Sequence, residues 1–222
     1  MTVAAIVLVP DAAAALADAD GEPAIRRVVH AAWSGGALPI VIVASDPAGI
    51  IAAAVSDLPV KLAGPAAGPP GIAWFSIGLV AAVAGVSETT AGLLWPFRYA
   101  WVDPETVTSL VEAHGAAPDA IAEPSYGGQI GFPVLVPISF IARLEAQSGR
   151  SGAEAVAAIL ADGAPGLVVE LGDPGIVSDI TTPHGNLPGY QGPSGPAGGP
   201  APDWNAEVAA AAQVPDQSRP TA

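Results

Sequence analysis

Residues 3–9, VAAIVLV, form an unbroken aliphatic run that ends at Pro10. Such runs are typical of parallel strands that are buried on both faces of a sheet. Residues 24–33 then show apolar positions at helical spacing, which the Ser-Gly-Gly of residues 34–36 ends, and residues 38–44 form a second buried run. A strand, a helix and another strand in this order predict a right-handed crossover and a parallel sheet. The sequence therefore predicts an α/β fold, a Rossmann-like three-layer αβα sandwich with a mostly parallel sheet.

The same alternation of helices and strands is predicted further along the chain. Asp103 and Pro104 are a typical helix start, with Asp at the N-cap and Pro at the first helical position. The apolar run of residues 72–86 is shorter than the roughly 20 residues that cross a bilayer, so a buried helix is expected there. The other predicted segments are helices at about 47–55, 139–147 and 152–160, strands at 93–95 and 167–171, and an extended stretch at 133–137.

Residues 191–222 differ in composition from the rest of the chain. The run QGPSGPAGGPAP begins at Gln191 and cannot bury enough apolar area to offset chain entropy, which predicts a flexible tail behind a domain of residues 1–190. A short Ala-rich helix is expected at about 204–214, too small to be stable alone. Trp204 either belongs to a frayed terminus or anchors this segment on the domain or on a partner.

Composition and charge narrow the classes of function. The net charge is -14 with Lys61 as the only lysine, which argues against nucleic acid as a partner because phosphate contacts need clustered cations. The chain has no cysteine and three scattered histidines, so neither a thiolate nor a histidine metal site is expected. No membrane partner is expected either, and because residues 1–16 lack a basic leader segment, a cytoplasmic location is the default. The oligomeric state is not predicted.

Three stretches of the sequence match the motifs of a known family in their order and spacing. They are PFRYAWVDPET at residues 96–106, YGGQIGFPVLVP at 126–137 and GDPGIVSDITTP at 172–183, with GRSGA at 149–153 between the last two. Together and in this order they resemble the molybdenum-cofactor nucleotidyltransferases, the MobA-like NTP transferase domain of molybdopterin cytidylyl- and guanylyltransferases. The resemblance covers residues 3 to about 187 and marks a divergent member.

This resemblance implies a nucleotide-diphospho-sugar-transferase-like fold and the transfer of a nucleotide from CTP or GTP to a phosphorylated cofactor. The family holds the triphosphate with a glycine-rich loop after the first strand, together with an arginine and a lysine. Acidic side chains in the middle and C-terminal motifs hold Mg²⁺, which stabilises charge on the transferring phosphorus.

The positions that match these elements carry different residues here. The former triphosphate loop begins Pro10, Asp11, Ala12 and has no glycine, arginine or lysine through residue 18, so its side chains and carboxylates oppose a close approach of phosphate. Arg98 stands where the middle motif has its metal-binding Asp. In the C-terminal motif Asp179 matches the first acid, but Thr181 occupies the second acidic position. We therefore assign no catalytic residue and expect no bound metal and no cofactor.

Two hypotheses about function follow. The first is a non-catalytic protein that binds a small molecule or assists maturation of a molybdenum enzyme. The second is an active nucleotidyltransferase with a rebuilt site, which alone would need Mg²⁺ and CTP or GTP. A plain structural domain in an oligomer stays open as a third.

Arg98 is expected to pair with Asp179 in the former metal site or, alternatively, to grip a phosphate or carboxylate itself. The aromatic side chains nearby either stack a pterin or a base, or pack in the core. The candidate ligand-binding residues are Arg98, Tyr99, Trp101, Gly131, Phe132 and Pro133.

Overall fold

Residues 2–65, 70–147 and 149–192 are described by the structure, a computed structural model. The strands are β1 (Thr2–Val9), β2 (Asp18–Ala19), β3 (Glu22–Pro23), β4 (Ile40–Ala44), β5 (Val60–Ala63), β6 (Thr89–Pro96), β7 (Ile121–Tyr126), β8 (Gln129–Ile130), β9 (Val134–Pro137) and β10 (Gly166–Glu170). The helices are α1 (Ala12–Ala15), α2 (Ala24–Ser34), α3 (Ile50–Ala54), α4 (Ile72–Gly85), α5 (Pro104–Ala116), α6 (Ile141–Glu145) and α7 (Gly152–Ala161), with 3-10 turns at Ile138–Phe140, Pro174–Ile176 and His184–Asn186. The predicted tail from residue 193 onward, including Trp204 and the helix at about 204–214, lies outside the described residues.

A mixed, mostly parallel sheet organises the fold. Its strands lie in the order β10, β7, β9, β6, β1, β4, β5, and β8 pairs with β7. β1 pairs in parallel with both β6 and β4, β4 with β5, and β10 with β7, whereas β9 runs antiparallel between β6 and β7. A separate hairpin of β2 and β3 turns at Asp20 and Gly21, both with positive φ. The α/β fold predicted from the sequence is confirmed.

Helices cover both faces of this sheet, because successive side chains of each strand point to opposite faces. Odd-numbered residues of β1 belong to one hydrophobic core, which α2, α3 and α5 close. Even-numbered residues of β1 belong to a second core, which α4, α6 and α7 close. β1 itself is buried from Val3 to Val9. The result is the predicted αβα sandwich.

Some segments differ from those predicted, each for a local reason. The helix expected at about 47–55 begins only at Ile50, after a turn in which the Asp46 carboxylate accepts a hydrogen bond from Ala52 N (2.9 Å). The helix expected at 139–147 starts as a 3-10 turn and continues as α6. β5 is missing from the sequence-based prediction, since Lys61 and Leu62 are exposed at the sheet edge and leave no buried run to detect.

α4 is apolar around its whole circumference, with no charged residue from Ile72 to Gly85. Its inner face packs on β1 and β4, where Phe75 and Leu79 are buried. On the outer face, Val80 is 65% exposed. The prediction of a buried helix is therefore wrong for the outer face, because no described element covers it. In the part of the chain that the structure describes, no helix has the length and apolar character needed to cross a membrane.

Gly78 marks a close contact between α4 and the sheet. A Cβ at this position would lie 2.3 Å from Ile6 Cγ2 and 2.9 Å from Val43 Cγ2, whereas a Cβ at Gly85 of the same helix would meet nothing within 4 Å. Gly78→Ala should therefore lower the free energy of unfolding by about 1–3 kcal/mol through overpacking, although alanine is the better helix former. Gly85→Ala should be neutral or stabilising. Urea denaturation of both variants checks this, and equal stability of the two would contradict the packing.

Candidate functional site

A cleft of about 350 Å³ opens at the carboxyl ends of β1 and β6. Leu8 and Pro10 border it where β1 ends, and Leu94 and Pro96 border it where β6 ends. Pro70 and Gly71, which precede α4, and the first residues of α7 form the opposite wall, and Tyr99 and Phe132 close one end. Ligands of open α/β sheets usually bind in a crevice at this edge. The cleft is therefore the candidate functional site.

The wall of the cleft is apolar and aromatic. No charged side chain lines it among the described residues. The rings of Tyr99 and Phe132 lie with their centroids 4.9 Å apart at an angle of 38°. Burial and the charge of Asp179 raise the pKa of Tyr99, although Arg98 opposes the shift, so the phenol stays neutral at physiological pH. Such a surface suits a flat ring better than an ion.

Glycines let the two helix starts approach the strands and each other closely. A Cβ at Gly71 would lie 2.9 Å from the carbonyl oxygen of Arg150, and a Cβ at Gly152 would lie 2.7 Å from Leu94 Cδ2. α7 begins with a capping box, in which the Ser151 hydroxyl accepts from Glu154 N and the Glu154 carboxylate accepts from Ser151 N (2.9 Å). The start of α7 therefore already carries a carboxylate of the chain itself.

The loop after β1 likewise satisfies its own backbone donors. Asp11 is the N-cap of α1, and its Oδ1 accepts hydrogen bonds from Ala13 N (3.0 Å) and Ala14 N (3.1 Å). These N–H groups are of the kind that a phosphate would need in order to bind at this loop. An incoming phosphate would therefore have to displace a carboxylate. Pro10 lines the cleft, and Ala12 packs against the core that α2, α3 and α5 close, on the other face of the sheet.

The expected ion pair between Arg98 and Asp179 is present. Arg98 Nη2 donates to Asp179 Oδ2 at 2.6 Å, and Ile180 N donates to the Arg98 carbonyl oxygen at 2.8 Å. The other carboxylate oxygen of Asp179 accepts from the N–H (2.8 Å) and the hydroxyl of Thr181. Partial burial opposes ionisation of Asp179, but the hydrogen bonds from Thr181 and the charge of Arg98 outweigh it, so the pKa of this carboxyl lies below its ordinary value.

These donors and acceptors are a poor match to a divalent cation. Mg²⁺ takes hard anionic oxygen ligands in near-octahedral geometry. Here both oxygens of Asp179 already accept hydrogen bonds, and the nearest charged group is a guanidinium. No group of three acidic or imidazole side chains that could hold a metal occurs among residues 2–65, 70–147 and 149–192. Mg²⁺ at this position would have to displace the Arg98 side chain.

Comparison with known proteins gives the family. The profile of the MobA-like NTP transferase domain matches residues 14–164. The chain belongs to this family. No curated protein matches its sequence.

Solved structures with the same fold include nucleotidyltransferases and a mycobacterial protein solved with manganese. A Methanothermobacter nucleotidyl transferase (Mth528) superposes with a TM-score of 0.64 at 16% identity, over 80% of this chain and 91% of its own. The Rv0371c protein of Mycobacterium tuberculosis H37Rv, solved with manganese, gives 0.59 at 16% identity over 77% and 88% of the two chains. The 2-C-methyl-D-erythritol 4-phosphate cytidylyltransferase of Thermus thermophilus gives 0.56 at 15% identity over 82% and 94%. Identities this low support the shared fold alone.

Within this MobA-like domain, Trp101 lies apart from the cleft. It borders a second cavity of about 170 Å³, where its ring stacks on His184 at 4.8 Å and the Arg27 guanidinium carbon lies 5.1 Å from the ring centroid. Its Nε1 donates to the carbonyl oxygens of Asp179 (3.2 Å) and Thr182 (3.0 Å). Trp101 therefore holds the segment that carries Asp179 in place.

Of the remaining candidate ligand-binding residues, Gly131 lies where two stretches of backbone meet closely. A Cβ there would lie 2.2 Å from the Ile176 carbonyl oxygen, so the glycine permits a close backbone contact, whereas Gly127 and Gly128 do adopt positive φ. Gly131 and Phe132 line a neighbouring cavity of about 300 Å³. Pro133 follows a cis peptide bond. The structure thus brings Tyr99 and Phe132 together in the cleft with Pro10, and leaves Trp101 and Gly131 elsewhere.

Sequence reasoning missed a buried carboxylate behind the site. Asp173 is 2% exposed and accepts hydrogen bonds from Asp103 N (2.9 Å), the Thr106 hydroxyl (2.6 Å) and Gly175 N (2.7 Å). Burial raises its pKa, and these hydrogen bonds oppose the rise. Asp173 thereby fixes the start of α5 to the segment that leads to Asp179. Its Asp-Pro-Gly context was visible in the sequence, but the partners 67 and 70 residues away were not.

The ion pair makes a contribution to stability that depends on pH. Folding lowers the pKa of Asp179 below its ordinary value of 3.8. The contribution is therefore fully present above pH 3.8, and it is lost as the pH falls through the lower pKa of the folded state. Asp179→Asn should therefore lower the free energy of unfolding by about 1 kcal/mol at neutral pH, and the difference from wild type should shrink in acid. Urea denaturation at several pH values measures it.

A matched control for this variant is Asp162→Asn. Asp162 pairs with Arg143 at 3.0 Å, but its side chain is 83% exposed, against 28% for Asp179. Its replacement should therefore cost less. A loss for Asp179→Asn that is no larger than the control's, or that does not change with pH, would contradict the assigned contribution.

Proposed function

We propose that this MobA-like domain is a non-catalytic binding protein, which holds a flat, weakly charged ligand in the cleft and does not transfer nucleotides. The observation that carries the proposal is the contact of 2.6 Å between Arg98 and Asp179. In the resemblance described above, both positions belong to the metal site of the transferases. A guanidinium there supplies positive charge but no ligand for a metal ion. Nucleotidyl transfer that depends on a bridging Mg²⁺ therefore lacks its metal site.

Electrostatics at the loop after β1 supports the same proposal. Catalysis by this family rests on neutralising a triphosphate, and preorganised cations and N–H donors are the main source of that stabilisation. Here the Asp11 carboxylate occupies the donors of α1, and no lysine or arginine lies in residues 10–18. A triphosphate would meet like charge at the place where it needs opposite charge.

The cleft favours a ligand whose affinity comes from ring packing. Its volume of about 350 Å³ lies at the small end of the usual range for ligand pockets, roughly 300–1,000 Å³. Tyr99 and Phe132 offer two ring faces, whereas the Ser151 hydroxyl at the edge is already engaged in the capping box with Glu154. A pterin or a free nucleobase fits this description. A role as maturation partner of a molybdenum enzyme rests on the sequence motifs alone and is proposed on that basis.

One observation favours the alternative, an active nucleotidyltransferase with a rebuilt site. The N-cap of α4, Gly71, and the first residues of α7 border the cleft, and backbone N–H groups at helix starts can bind an anion without cations. The capping carboxylate of Glu154 at the start of α7 weighs against it, because it places a negative charge beside those groups.

Calorimetry with matched ligands tests the proposal. Free guanine, adenine or pterin should bind more tightly than GTP, ATP or CTP, with or without Mg²⁺. Only the triphosphates bring negative charge close to the carboxylates of Asp11 and Glu154, which repel it. Phe132→Ala should weaken ring binding by about 2- to 10-fold, the value of one aromatic contact, while Phe140→Ala, on the α6 side, serves as the control. Binding of a triphosphate at micromolar concentration that requires Mg²⁺, or release of pyrophosphate, would overturn the proposal in favour of the alternative.

Replacement of Arg98 gives a second test. Arg98→Asp sets a second carboxylate beside Asp179, so this variant should bind Mn²⁺ measurably, whereas wild type and Arg98→Ala should not. It should still release no pyrophosphate, because the Asp11 cap is unchanged. Electron paramagnetic resonance of free Mn²⁺ provides the measurement. Equal Mn²⁺ binding by wild type and Arg98→Asp would contradict the role assigned to the guanidinium.

A further inference from the structure

An apolar groove runs along the outer face of α4. It has a volume of about 580 Å³ and is lined by residues at helical spacing and by one residue at the end of α6, namely Ala73, Ile77, Val80, Ala81, Ala84 and Glu145. A second groove of about 340 Å³ continues it toward Ile138 and Ile141. We call the two together the α4 groove. It lies on the face of α4 away from β1 and β4, and it is separate from the cleft.

The composition of the α4 groove is unusual for a surface in water. Val80 is 65% and Ile138 is 38% exposed, and Glu145 is the one charged residue that lines the groove in the described part of the chain. Contiguous apolar patches of this kind mark contact surfaces. The exposed apolar side chains of the groove therefore indicate that a partner covers it.

We propose that the occupant is a second copy of this chain, so that α4 packs against α4 of the partner in a homodimer with twofold symmetry. The small residues Ala73, Ala81 and Ala84 leave room for a helix to approach. The larger side chains of Ile77 and Val80 can fill the same groove on the partner protomer. A surface that carries both the projections and the space for them is complementary to itself. Self-complementarity is what a twofold interface requires.

The charges beside the groove support a second copy. Lys61 lies on β5 at one flank, where its Nζ donates to the carbonyl oxygen of Ala81 (3.1 Å). Glu145 lies on α6 at the other flank. Opposite signs on the two flanks allow Lys61 of one protomer to face the partner's Glu145. The chain carries a net charge of -14, so a contact that brings Lys61 to a carboxylate of the partner opposes the general repulsion between two acidic copies.

The C-terminal tail is less well placed to fill the groove. The described chain ends at Gly192, which packs beside Tyr190 and Gly172. Tyr190 borders the cavity at the start of α5, and α5 covers the opposite face of the sheet from α4. The tail would have to pass around the sheet to reach the groove, whereas a second copy reaches it directly.

Sedimentation velocity of the full-length chain tests the proposal, from about 1 to about 100 µM. We expect a dimer that dissociates on dilution. Val80→Glu places a carboxylate in the contact on each side and should raise the dimer dissociation constant about a hundredfold or more. Val168→Glu is the matched control, because Val168 is 57% exposed on β10 at the other end of the sheet, and it should leave the constant unchanged.

A charge exchange tests the arrangement of the two copies. Lys61→Glu and Glu145→Lys should each weaken the dimer about 2- to 5-fold, the range of exposed ion pairs. Mixing the two variant chains should restore the wild-type constant, since each pair then carries opposite charges. Restoration on mixing is not expected of a merely structural effect.

Three results would overturn the dimer. The first is a wild-type chain that stays monomeric throughout, and the second is equal behaviour of Val80→Glu and Val168→Glu. The third is a monomer whose α4 amides exchange faster in Trp204→Ala, which would assign the groove to the tail. None of these readouts depends on what the cleft binds, so the dimer and the proposed function stand or fall separately.

Discussion

β1 is hydrogen-bonded along both edges and buried on both faces, and this constraint sets the position of the site. Its register with β6 places Leu8 opposite Pro96, so both strands release their following loops at the same edge of the sheet. The loop after β1 then carries Asp11, and the loop after β6 carries Arg98. A shift of register by one residue would turn every buried side chain of β1 to the wrong core. The position of the site is therefore set by the register of β1, the most buried strand.

At this edge the charged and polar groups are paired within the chain. Asp11 accepts from the first turn of α1, Glu154 accepts from the start of α7, and Asp179 accepts from Arg98. Each partner is held close by the fold, so an external ion has to compete with a group at high effective concentration. The interior of the cleft, in contrast, offers rings and aliphatic carbons with few competing partners. This division explains why we assign its affinity to ring packing.

The sequence predicted the parts of the structure that depend on local signals. β1 and the Asp103 cap of α5 rest on a continuous apolar run and on capping residues, and both are present. The pairing of Arg98 with Asp179 followed from the family resemblance, in which both positions belong to the metal site. The sequence did not predict β5, which is held by backbone bonds to β4 at an exposed edge, or the role of Gly131, which depends on the Ile176 carbonyl oxygen 45 residues away. Such contacts exist only once the chain is folded.

A comparison of α2 with α4 shows what the fold itself requires of its outer helices. Both pack on the central strands and need an apolar inner face. α2 carries Arg26 and Arg27 among its outward residues, and Arg26 pairs with Asp57 at 2.6 Å. α4 has no charged or strongly polar residue beyond Ser76. Because α2 shows that the sandwich is compatible with a charged outer face, the apolar outer face of α4 is not a requirement of the fold. The fold alone therefore gives no reason for this face, and the proposed contact with a second copy supplies one.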